Sequence, residues 1–215
     1  MERRRRASRI GAIVIALAVV AISLMMPSRY RIAPAWVSYG VPTLLIGAVV
    51  MRELAKSSPL WRRVARALMF ASAGLAFTLN GLNLLDIIDA LVYEPATLKP
   101  ETLFFTALSI WLVNALTFAI IYWLVDRGGS DARAADAGEY PDFDFPAMGS
   151  PSKVPPDWRP GIIDYLFIAF TTNTAFGPTE AMPLSSRAKA LMMAQSIIAL
   201  ADIVVVAARS IGAIA

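Results

Sequence analysis

Residues 164–184, DYLFIAFTTNTAFGPTEAMPL, begin like a membrane segment and end like a loop. Residues 162–170 are apolar enough for lipid, but they amount to only ~14 Å of helix. Thr171, Thr172, Asn173 and Thr174 follow, and then Gly177-Pro178 breaks the run. The stretch is too polar for an ordinary span and too apolar for an ordinary loop. Whether the chain crosses here, or dips in and returns, decides the architecture.

Composition defines the solvent. Of 215 residues 57% are hydrophobic and only 17% charged, with mean hydropathy +0.59. A soluble domain carries about a quarter charged residues, so the balance points to lipid. Cysteine and histidine are both absent. That removes thiolate and imidazole chemistry together: disulfides, the commonest general base and the commonest metal ligands. No nucleotide loop, zinc signature or nucleophile elbow appears, and PDFDFP lacks a calcium-loop pattern. The reading is of a protein that is not an enzyme, with no cofactor and no metal. The formal charge of +4 is carried by basic residues that flank apolar runs, the pattern of membrane topology rather than nucleic-acid binding.

Five runs are long enough to span or nearly span a ~30 Å hydrocarbon layer. The first, 11–26, follows MERRRRASRI and lacks the small-residue pair of a cleavage site, so it reads as a retained span. The others are 35–51, interrupted by Pro42; a third from the cluster Arg62, Arg63, Arg66 to about 91; 103–125; and 188–208. Tyr122 and Trp123 read as an interfacial belt at the end of the fourth. The expected class is an all-α polytopic bundle of five full spans plus one re-entrant or short sixth segment. It divides into a four-span region 1–125, a polar Pro/Gly/Asp-rich loop 126–161, and a half-helix with a final span, 162–215.

The loop holds six prolines and five glycines, so little regular structure is expected. Two readings stay open: a solvated connector, or a loop whose Tyr140, Phe143, Phe145 and Trp158 pack back on the protein. Basic clusters at Arg3–Arg6 and Arg52–Arg66 place the N-terminus in the cytoplasm, and four spans then return the chain there at Asp126. Six crossings would put 15 basic residues inside and 5 outside, five crossings 16 and 4, so charge leaves the opening question undecided.

Thr171-Thr172-x-Thr174, preceded by DYLFIAF and followed by a final apolar helix, resembles the pore loop of two-span ion channels. The resemblance implies an outer helix at 103–125, a pore helix at 162–174 and an inner helix at 188–208. Phe176 and Pro178 stand where that family's filter has glycines, so it implies pore-loop architecture without potassium selectivity. The blocks WLVDRGG, PDFDFP, PPDW, DYLFIAFT, TAFGPTEAMPL, AKALMMAQS and AAR, over about residues 123–209, are similar to a family of uncharacterised bacterial multi-pass membrane proteins. That similarity implies a bacterial inner-membrane location and no particular activity.

Polar residues inside spans are costly, and so they are candidates. Gln195, Asp202 and Arg209 are spaced by seven and share a face of the final helix, where Gln195 and Asp202 are expected to line a polar cavity. Thr171, Thr172, Asn173, Thr174, Thr179 and Glu180 join them as pore or cavity candidates, and Asn80, Asn83, Asp86 and Asp89 on the third run form a secondary set. The sequence favours a channel-like or transport role with a re-entrant Thr-rich loop. Its partners would be the lipid bilayer, further copies of the chain and an inorganic ion, with no nucleic acid. The alternative is a non-conducting scaffold that recruits a partner through loop 126–161.

Overall fold

Each apolar run becomes a helix, because a backbone removed from water has to satisfy its own hydrogen bonds. The computed structural model describes residues 2–27, 33–54, 58–94, 99–126, 140–149, 158–174 and 181–212. Among them are α1 Glu2–Met25, α2 Ala35–Leu54, α3 Pro59–Tyr93, α4 Pro100–Val125, α5 Ile162–Asn173 and α6 Ser186–Gly212. A short antiparallel ribbon joins β1 Phe143–Asp144 to β2 Met182–Pro183. The fold is all-helical apart from that ribbon. Prolines open α3 and α4, where the missing N–H leaves no bond unmade.

Three helices are long and apolar enough to cross a membrane: Leu60–Tyr93, Pro100–Val125 and Ser186–Arg209. The apolar parts of α1 and α2, Ile10–Met25 and Gly40–Met51, are shorter, as is Ile162–Asn173. In α1 and α2 charged residues continue the helix past its apolar stretch: Arg3–Arg6 at the start of one, Arg52 and Glu53 at the end of the other.

The first four helices form a ring in which α1 neighbours α2 and α4, and α3 neighbours α2 and α4. The last two helices lie on the outer side of α4, with α5 also touching α1 and α6 also touching α3. This makes α4 the central column, and its sequence is apolar all round, as a buried helix requires. Tyr122 and Trp123 accordingly sit inside, 0% and 2% exposed, and not in a lipid-facing belt.

Contacts give the helix directions. Tyr165 near the start of α5 bonds Asp126 at the C-terminal end of α4, while Asn173 at the end of α5 bonds Trp111 and Asn114 half-way down it. At 12 residues α5 is ~18 Å long and runs antiparallel to α4 over about half its length. The chain then returns to the end where it started, since β2 pairs with β1 and Leu184 N–H donates to the Asp142 carbonyl. From there α6 runs the full length of α4, down to Val205 beside Leu103. One face of α5 is apolar and exposed (Ile163, Phe167, Phe170); the opposite face is buried. Gly11 of α1 comes so close to the start of α5 that a β-carbon there would collide with Ile162 Cγ2.

Segment 140–149 packs back on the protein. Phe143 and Phe145 are buried, and an aromatic chain runs Phe77, Phe118, Tyr122, Phe143, Tyr165, Phe145, Trp158 with ring centroids 5.1–6.3 Å apart. Tyr140, by contrast, is 95% exposed. Asp142 clasps this segment to α6. Its carboxylate accepts Arg187 Nε at 2.6 Å and Nη2 at 2.7 Å together with the Ser185 hydroxyl, and its N–H donates to Asp126 Oδ1 at 2.8 Å. Ser185 Oγ in turn accepts the Ala188 N–H, capping α6.

Candidate functional site: a closed polar node and a lone carboxylate

The final helix carries its polar side chains to two different places. Gln195, fully buried, enters a node between α4, α5 and α6. Tyr122 O–H donates to Gln195 Oε1 at 2.5 Å, and Gln195 Nε2 donates to the Ala169 carbonyl at 2.6 Å and to Asn173 Oδ1 at 2.7 Å. Asn114 Nδ2 donates to Asn173 Oδ1 at 3.0 Å and to the Gln195 carbonyl at 3.1 Å. Asn173 Nδ2 closes the set on the Trp111 carbonyl at 2.7 Å. Nearly every donor and acceptor here has a partner, so the node is a dry adhesive between helices.

The threonines are absorbed locally. Thr171 donates to the carbonyls of Phe167 and Ile168, Thr172 to that of Ile168, and Thr174 to that of Thr171. Thr172 also bonds Tyr122. Gln195 and Asp202 have different surroundings. The seven-residue spacing does put both on the buried side of α6, but only Gln195 reaches the half-helix. Thr179 and Glu180, with Phe176 and Pro178, lie outside the described residues.

Asp202 is the opposite case. It is 3% exposed, and its Oδ1 has no hydrogen-bond partner among the described residues. It lies ~10 Å further along α6 than Gln195. Ile198 and Val205, one turn on either side, belong to an apolar cluster with Leu84, Ile87, Leu103 and Ile110. A bare carboxylate in such surroundings costs several kcal/mol or more unless a counter-charge joins it.

The secondary set divides along α3. Asn80 is buried and donates to the Ile110 carbonyl at 3.2 Å, and Asn83 contacts Met26 Sδ at 3.9 Å. Both face the interior of the ring. Asp86 is half-buried and Asp89 exposed. Among the described residues no three metal-ligating side chains converge.

Sequence reasoning missed Asn114, Asp126, Asp142 and Thr117. Asn114 had a usable signal: it is the one amide in the apolar run 103–125. No protein-family model matches the chain, and no curated protein or solved structure matches it.

Proposed function

We propose that the protein is a bacterial inner-membrane transport subunit with five full spans, α1 to α4 and α6, and that α5 is re-entrant from the cytoplasmic side. It works as a homo-oligomer and moves an inorganic cation, a proton or a small monovalent ion. The single observation that carries the reading is the Asp202 carboxylate, buried in a crossing helix with an oxygen left unbonded. An intramembrane ionisable residue without a structural partner marks an ion path by default. One carboxylate neutralises one positive charge, which selects the cation.

Helix length supports the span count. The apolar parts of α1 and α2 give ~24 Å and ~18 Å, and the helices continue to ~36 Å and ~30 Å through charged ends suited to the interface, so each would cross with local thinning of the layer. The half-length of α5 and its apolar outer face support re-entry. Broken or half-length helices of this kind hold the sites of many transporters. The non-conducting scaffold is the second reading, and Tyr140 favours it, an aromatic presented almost entirely to solvent.

Purified protein in liposomes tests the function. Imposed proton, sodium and potassium gradients should each be scored, with light scattering for subunit number. Dissipation of one gradient above empty liposomes supports transport; none in any gradient favours the scaffold. In intact cells Tyr140→Cys, in this cysteine-free chain, should be shielded from an impermeant thiol reagent. Labelling from outside would reverse the orientation.

A further inference from the structure

The ring formed by α1 to α4 is not solid. Two adjoining cavities lie on its axis, one of about 50 Å³ and one of about 20 Å³. They share walls at Val19, Val41, Pro42 and Ala76, so they form one cleft with a waist. The wider chamber is lined by Ser23, Asn80, Asn83 and Ser109, the narrower by Ser72 and Thr117. Among the described residues no charged side chain lines either.

Two features make this cleft more than a packing defect. A cavity lined by aliphatic groups stays dry, whereas this one has amides and hydroxyls on three of its four helices. Thr117 is 3% exposed, and its Oγ1 has no hydrogen-bond partner, an arrangement that costs about 1–3 kcal/mol if nothing fills the space beside it. An unpartnered hydroxyl is thus offered to this small space. At roughly 10–15 Å³ for each water-sized position, the cleft has room for about five.

We infer that the axis of the α1–α4 ring is a hydrated binding site for a small uncharged hydrogen-bonding molecule, water or an amide-like or polyol solute of a few non-hydrogen atoms. The described lining is uncharged amides, hydroxyls and aliphatic groups, which favours a neutral occupant over an ion. The site is separate from Asp202 and does not depend on the protein moving a cation.

Single cysteines report hydration, because a thiol reacts as thiolate and is inert when buried in apolar surroundings. Thr117→Cys and Ala119→Cys sit two residues apart on α4, both buried, the first facing the cleft and the second packed. With methyl methanethiosulfonate, a small neutral reagent, Thr117→Cys should react at least ~10-fold faster than Ala119→Cys. Acetamide should slow the Thr117→Cys reaction, and tetramethylammonium should not. Ser109→Cys, in the wider chamber, repeats the test should Thr117→Cys fold poorly. Equal rates at the two α4 positions, or protection by the cation, overturn the inference. Thr117→Val gives an independent check. It should leave the melting temperature unchanged or lower it if Oγ1 bonds an occupant, and a rise would show the hydroxyl to be unsatisfied and the cleft dry.

Discussion

The α1–α4 ring and the α4–α6 half build their interiors from the same kind of residue and reach opposite results. Both bury uncharged amides and hydroxyls among apolar helices. In the α4–α6 half, Asn114, Tyr122, Asn173 and Gln195 spend their hydrogen bonds on one another and on three backbone carbonyls. In the ring, Asn80, Asn83 and Thr117 border open volume, and the Thr117 hydroxyl has no partner. A polar residue in a span therefore indicates a cost, and only its partners and the space beside it say whether that cost is structural or functional.

The largest effect that could break the comparison is at Gln195. Gln195→Leu leaves the Tyr122 hydroxyl and the Asn173 oxygen short of a partner in the driest part of the molecule, and should destabilise by about 2–4 kcal/mol in detergent. Denaturation followed by tryptophan fluorescence measures it. A loss no greater than that of Thr117→Val would mean the node is no tighter than the ring.

Asp142→Asn comes next. It weakens the bidentate bond to Arg187 that holds segment 140–149 on the start of α6. Since the Arg187 side chain is 47% exposed, solvent screening limits the loss to about 1–2 kcal/mol. The same assay applies, and Arg187→Gln should cost no more. A larger loss for Arg187→Gln would mean that arginine has a second role.

Gly11→Ala tests whether ring and half form one body. The new methyl group meets Ile162 at the start of α5 and should cost about 1 kcal/mol or more. Adding Ile162→Ala should make the glycine change nearly harmless. If Gly11→Ala costs nothing in the parent, α1 and α5 do not touch as closely as described.

The helices were largely legible because an apolar run has little choice of backbone in lipid. The expected 103–125 became Pro100–Val125, and 162–174 became Ile162–Asn173. The short helix at the start of residues 164–184 was legible too, since a nine-residue apolar run amounts to only ~14 Å of helix. The partners were not. Asn114 meets Asn173 and Gln195 across 59 and 81 residues of chain, and no local period encodes that meeting. The spacing of seven gave Gln195 and Asp202 a common face but could not say that α5, ending at Asn173, covers only the upper part of it. For segment 140–149 the prolines and acids suited a connector and the aromatics a packed loop, and local sequence could not choose; Phe143 and Phe145 are buried, while Tyr140 is exposed.

The central claim is that Gln195 holds the bundle while Asp202, on the same helix, serves the ion. Liposome flux beside detergent melting and oligomer size for Asp202→Asn tests it most directly. The account predicts that flux is lost while melting and assembly stay the same or improve, because Oδ1 has no partner among the described residues for an amide to abandon. Unchanged flux with a collapsed assembly would contradict it, and would make Asp202 a structural residue like Gln195.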